Sequence, residues 1–127
     1  MEFSRRILLV EDETFIRMFL TCAFRDAGFT VIGSETGANA LTELETKNFA
    51  ALVTDIRLGV GPSGWDVAHF ARQRRPHMAV IYMTGDSAAD WISEGVPTSI
   101  LMQKPFAMAR LVTAVANLLK GDDQLST

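Results

Sequence analysis

Ile7-Leu8-Leu9-Val10-Glu11-Asp12-Glu13 passes from four apolar residues to three acids with no turn residue between them. A short run of branched aliphatics has the length and composition of a parallel strand buried on both faces. The acids mark a polar edge where that strand stops. Beyond them the period changes: Phe15, Ile16, Phe19, Leu20, Ala23 and Phe24 recur at helical spacing. Ala27-Gly28 then supplies a stop.

The rest of the chain repeats this alternation. Phe29–Ile32 reads as a second strand, and Ala38–Lys47 as a second helix with Ala40, Leu41 and Leu44 inward. Phe49–Thr54 is a third strand ending at Asp55. A loop holding Gly59, Gly61, Pro62, Ser63 and Gly64 follows, then a helix over Trp65–Arg74 stopped by Pro76. Met78–Met83 is a fourth strand ending at Thr84-Gly85, and Ser87–Glu94 a short fourth helix closed by Gly95-Val96-Pro97. Ser99–Gln103 is a fifth strand ending at Lys104-Pro105. The fifth helix spans Phe106–Lys120, with Leu111, Val112, Val115, Leu118 and Leu119 on one face. Gly121–Thr127 reads as a short polar tail. Five strands alternating with five helices predict an α/β fold, a doubly wound parallel sheet covered on both faces.

The chain has 127 residues, 48% hydrophobic and 21% charged. That suits one globular domain, expected over residues 1–120, and a chain of this size buries about two-thirds of its unfolded surface. Little length remains for a fused effector or DNA-binding module, and none is expected. Twelve Lys and Arg against 15 Asp and Glu give a net charge of -3, which argues against a nucleic-acid partner. No apolar run nears the ~18 residues of a membrane span, and Arg5-Arg6 with its following aliphatics meets acids too soon for a secretory signal. The single cysteine, Cys22, reads as a small buried hydrophobe, which fits a reducing, cytoplasmic setting.

Doubly wound sheets bind ligands beyond the carboxyl ends of their strands. Those ends carry Glu11-Asp12-Glu13, Asp55, Thr84 and Lys104. Taken singly, Asp12 fits a helix cap, Asp55 and Thr84-Gly85 fit turns, and Lys104 fits a surface charge. Taken together they converge on one rim. Clustered carboxylates repel unless a cation sits among them, and oxygen ligands of this kind suit Mg²⁺. An ammonium and a hydroxyl beside them are donors suited to phosphoryl oxygens.

On Leu9-Val10-Glu11-Asp12, Val53-Thr54-Asp55, Met83-Thr84-Gly85 and Gln103-Lys104-Pro105-Phe106, the chain resembles a response-regulator receiver domain of two-component signalling, from about Arg6 to Lys120. The resemblance implies a flavodoxin-like fold and a stand-alone switch that is no enzyme beyond handling its own phosphate. It implies Asp55 as the phosphorylated residue. Mg²⁺ would be held by Asp12, by Glu11 through water, by Asp55 and by the backbone carbonyl of Arg57. Thr84, with Gly85 beside it, and Lys104 would bind the phosphoryl group, and the Lys104-Pro105 bond would be cis. The implied donor is a histidine kinase or histidine phosphotransfer protein. The implied output is an unknown downstream protein on the face of helix four, strand five and helix five, with the domain a monomer or weak homodimer.

Several residues depart from the pattern. Leu101 stands three residues before the lysine, where the family usually has Tyr or Phe as a rotamer switch. Trp91 and Tyr82 are the aromatics considered as substitutes, with simple packing the better reading of both. The loop after Asp55 is glycine-rich and about one residue longer than the family's common form, with Gly59 where proline is usual. Pro97 restricts Val96 to extended geometry. Arg57 and Asp86, each two residues past a site residue, are expected to pair across the mouth of the site and control water access.

Two other functions compete. A phosphorylation-independent interaction module is suggested by Leu101 and opposed by the intact Asp12, Asp55, Thr84 and Lys104. A small α/β hydrolase or nucleotide enzyme is opposed by the absence of a Gly-x-Ser-x-Gly elbow, and His69 and His77 fall away from the acidic rim.

Overall fold

The computed structural model describes residues 3–125, with side chains through residue 120. The strands are β1 (Arg6–Val10), β2 (Thr30–Ser34), β3 (Ala51–Asp55), β4 (Ala79–Thr84) and β5 (Ile100–Gln103). The helices are α1 (Thr14–Asp26), α2 (Gly37–Thr46), α3 (Gly64–Arg74), α4 (Trp91–Glu94) and α5 (Met108–Leu125), with a 3-10 turn over Ala88–Asp90. All four strand pairings are parallel, and the order is β2-β1-β3-β4-β5. The order reverses between β1 and β3, so the crevice forms beyond Val10 and Asp55.

The strands alternate between two cores. Ile7, Leu9, Val53, Ile81 and Met83 pack with Leu20 and Phe24 of α1 and Leu111 and Val115 of α5. Leu8, Val10, Leu52, Val80 and Tyr82 pack with α2 and α3 through Ala40, Leu44, Val67 and Ala71. Because both faces are covered, β1, β3 and β4 read as near-continuous apolar runs rather than alternating patterns.

Several expectations are corrected. Cys22 is exposed, not buried. Phe15 and Phe19 are 71% and 61% exposed, and Met18 joins them. Helix α1 is apolar around most of its circumference, and it docks on Ile16, Leu20 and Phe24, which turns the ridge of Phe15, Met18, Phe19 and Cys22 outward. The fourth helix is a 3-10 turn followed by one α-helical turn. Helix α5 runs to Leu125, past Lys120 and Gly121; one glycine costs a helix only about 1 kcal/mol relative to alanine. The expected polar tail therefore falls partly in this helix, and residues 126–127 lie outside those described. No helix among the described residues is long and apolar enough to cross a membrane.

Candidate functional site

Strand pairing brings the expected residues to one rim. Val10 pairs with Thr54, Asp55 with Met83, and Thr84 with Gln103. Glu11, Asp55, Thr84 and Lys104 thus follow from four adjacent strands at nearly one level. They line a cleft of about 310 Å³ together with Asp12, Glu13, Arg57, Gly85 and Asp86.

Glu11 and Asp55 are held by hydrogen bonds to their own backbone groups. Glu11 is only 1% exposed. Its N–H donates to Ser34 O at 3.0 Å, its carbonyl accepts from Arg17 Nη1 at 2.7 Å, and its Oε2 accepts from Glu13 N at 3.1 Å. Asp55 is 4% exposed, and its carbonyl accepts from Thr54 Oγ1 at 2.8 Å. The chain leaving Asp55 folds back so tightly that a Cβ on Gly64 would lie 2.0 Å from Asp55 O. Gly64 N–H donates to Ile56 O at 2.8 Å, which closes this loop. Asp12 does not cap α1: the N-cap is Glu13, with no side-chain cap bond. That leaves the Asp12 carboxylate for the cleft.

Carboxylate oxygens of Glu11, Asp12 and Asp55 lie within 4.8 Å of one another. Desolvation, a hydrogen bond with Asp55 and the charge of Asp55 push the Glu11 carboxyl above its ordinary range. Asp12, the exposed member, is also raised, by desolvation of its carboxyl and then by Glu11. Both shifts mean that the ionised cluster is disfavoured as it stands. Lys104 supplies partial compensation. Its Nζ lies 2.7 Å from Asp55 Oδ1 and 3.4 Å from Glu11 Oε1. Burial pulls the Lys104 ammonium down, but the bond to Asp55 and the charges of Asp55 and Glu11 outweigh it, and the net shift is upward. One ammonium against three carboxylates leaves an excess of negative charge. Hard oxygen donors on two strand ends with a water-accessible mouth fit a magnesium-sized cation.

Thr84 is 3% exposed. Its Oγ1 accepts from Asp86 N at 3.2 Å and Ser87 N at 2.7 Å. Its carbonyl accepts from Lys104 N at 2.7 Å, and the Lys104-Pro105 peptide bond is cis. Arg57 Nε lies 3.0 Å from Asp86 Oδ2 and 3.1 Å from Oδ1, so these two side chains form an ion pair at the mouth. Ser87, which sequence reasoning missed, donates its hydroxyl to Asp86 Oδ1 at 3.0 Å. Its signal was the three-residue spacing from Thr84. Gly59 and Gly61 adopt φ of +78° and +100° in the loop after Asp55, conformations that favour glycine. Leu101 lies outside the cleft, paired with Tyr82 on β4.

The fold recurs in known proteins. The chain is 32% identical over 119 residues to the response regulator receiver protein CpdR of Brucella abortus, covering 91% of this chain and 97% of that one. It is 33% identical to the transcriptional activator IrlR of Burkholderia pseudomallei, of which it spans 50%. A response regulator receiver protein from Sinorhizobium medicae superposes with a TM-score of 0.88 at 41% identity, over 91% of this chain and 94% of that one. The receiver domain of a Pseudomonas aeruginosa sensor histidine kinase shares the fold, with a TM-score of 0.79 at 22% identity over 91% of this chain and 98% of that one, and holds a magnesium ion in its active-site cleft. The family described as the response regulator receiver domain matches residues 7–116, and the chain belongs to that family, a signalling switch of two-component systems.

Proposed function

We propose that this domain is a Mg²⁺-dependent phosphorylation switch in which Asp55 accepts a phosphoryl group from a phosphohistidine of a kinase or phosphotransfer protein. The observation that carries the reading is the placement of Asp55: almost buried, 2.7 Å from Lys104 Nζ, and within 4.8 Å of two further carboxylates at the sheet's switch point. Glu11, Asp12, Asp55 and the Arg57 carbonyl are the groups that would hold the metal, which when bound supplies positive charge to carboxylate and phosphoryl oxygens alike. An Asp55 oxygen forms the new O–P bond as the P–N bond to the donor imidazole breaks, and the nitrogen keeps the electron pair. Lys104 exchanges its bond to Asp55 for one to a phosphoryl oxygen. Thr84 turns its hydroxyl toward the same group, with Gly85 giving the loop room.

The donor must bring its histidine to this mouth and so cover what adjoins it. Glu13 lines the cleft and starts α1, whose exposed ridge of Phe15, Met18 and Phe19 offers that donor an apolar helix face to pack on. Such a donor places the domain in the cytoplasm. The output partner is assigned to the face of α4, β5 and α5. The Arg57–Asp86 pair is the gate for the water that hydrolyses the acyl phosphate. Faster phosphate loss in Arg57→Ala and Asp86→Ala is expected, and unchanged rates in both contradict the gate. The interaction-module reading has only Leu101 in its favour.

Incubation with Mg²⁺ and a small-molecule phosphodonor tests the main reading. The protein gains the mass of one phosphoryl group, and Asp55→Asn gains none. Equal gain in both overturns it.

A further inference from the structure

We propose that Trp91 carries the conformational readout that Leu101 cannot, and that Thr84 holds it in its resting position through the start of α4. The proposal rests on the reading of Asp55 as phosphoacceptor.

The aromatic ring nearest Leu101 in the sheet is Tyr82, its partner across β4 and β5. Tyr82 is a fixed post. It is fully buried, its ring lies 4.7 Å from that of Trp65, and its hydroxyl accepts from Val96 N at 3.0 Å. Swinging it outward would open a cavity and orphan a buried N–H. Trp91 is different. It is half-buried, and it lines a groove of about 450 Å³ together with Leu101, Ala88 and Phe106. Its indole Nε1 donates to Ser99 Oγ at 3.0 Å, and Ser99 Oγ donates to Val96 O at 2.7 Å. The ring crosses Gly95 so closely that a Cβ there would lie 2.5 Å from Trp91 Cδ1.

The segment carrying Trp91 is anchored unequally at its two ends. The C-terminal end is pinned to α3. His69 Nε2 lies 2.8 Å from Glu94 O, and Arg72 donates to the carbonyls of Pro97, Thr98 and Met78. Thr98 has a φ of 58°, a conformation costly for a β-branched residue, so this end is over-determined by its contacts. The N-terminal end is tied more weakly, through the exposed Arg57–Asp86 ion pair. Neither the 3-10 turn nor α4 has a side-chain cap of its own. The Thr84 hydroxyl does that work, accepting from Asp86 N and Ser87 N. A single helical turn has no stability in isolation. When Thr84 rotates its hydroxyl toward a phosphoryl group, it gives up these two bonds. The start of α4 loosens while Glu94–Thr98 stays fixed. Trp91 sits at the junction, and its bond to Ser99 is the contact that yields.

The test uses Trp65→Phe protein, in which Trp91 is the sole tryptophan, with Mg²⁺ and beryllofluoride as the probe. Fluorine NMR reports whether the probe is bound, independently of the indole. The expected result is bound fluoride together with shifted Trp91 emission and greater quenching by acrylamide. Thr84→Ala in the same background is expected to show the raised quenching before the probe is added, and Thr84→Ser to restore the resting value. Bound fluoride with unchanged emission and quenching overturns the role of Trp91 and leaves the Asp55 reading standing. No bound fluoride overturns both.

Discussion

Helix α3 follows the strand of Asp55 and begins on a reciprocal cap, with Ser63 Oγ accepting from Asp66 N and Asp66 Oδ2 accepting from Ser63 N. Helix α4 follows the strand of Thr84 and begins on no cap of its own. The first runs 11 residues and fits its opening glycine against Asp55 O, whereas the second runs four residues and hangs from a threonine hydroxyl. The two walls of one cleft therefore differ in how readily they move. The β3 side holds the acceptor still, and the β4 side is built to be released. Fixed geometry favours the transfer step, because misplacement of reacting groups is costly. A weakly held wall lets the same event be read elsewhere.

The largest expected effect comes from attacking the fixed wall. Gly64→Ala forces a Cβ to 2.0 Å from Asp55 O, and backbone atoms cannot step aside as a side-chain tip can. A loss of about 3 kcal/mol in urea unfolding is expected, the upper range for overpacking. A loss below about 1 kcal/mol would show that this wall yields after all. Ser63→Ala removes one half of the α3 cap and is expected to cost about 1 kcal/mol. Thr84→Ala sharpens the contrast. It leaves the N–H of Ser87 without its partner, at a local cost of about 1–3 kcal/mol. Hydrogen exchange should speed up over 88–91 and stay unchanged over 64–74. Uniform acceleration would mean that the two walls open together.

A smaller effect separates the acids. Glu11 and Asp12 both have carboxyl groups raised above their ordinary values of 4.5 and 3.8. Folded protein therefore binds more protons than unfolded chain between the ordinary and the raised values. The contribution of these two groups to the stability of the metal-free protein falls as pH rises through that window. Mg²⁺ at neutral pH should recover the loss, and Asp12→Asn should raise the metal-free Tm while abolishing the response to Mg²⁺. A Tm that climbs with pH across the window contradicts the electrostatics described. The smallest effect is at the gate: Arg57 and Asp86 are both exposed, and Arg57→Ala should change stability by less than about 1 kcal/mol.

Most of the site was legible because strand ends are legible. Apolar runs that stop at Glu11, Asp55, Thr84 and Lys104 fix where four side chains emerge, and parallel pairing then leaves them little choice but one rim. The Arg57–Asp86 contact was readable for the same reason, since both follow the site by two residues. What depended on tertiary choice was not legible. In α1 the apolar residues cover two faces, and only docking on the sheet decides that Phe24 goes in and Phe15 out. Strand starts slipped because Phe29 and Phe49 are buried without being paired in β2 or β3. The link from Tyr82 to Val96 joins residues 14 apart through a phenol, and no spacing rule announces it.

The central claim is that Asp55 itself receives the phosphoryl group. Borohydride reduces an aspartyl phosphate to homoserine, so trapping after incubation with Mg²⁺ and a phosphodonor marks the acceptor covalently. Peptide mapping should find homoserine at position 55, in the tryptic peptide spanning 48–57. Homoserine at any other acid, or at none while phosphate is incorporated, contradicts the account.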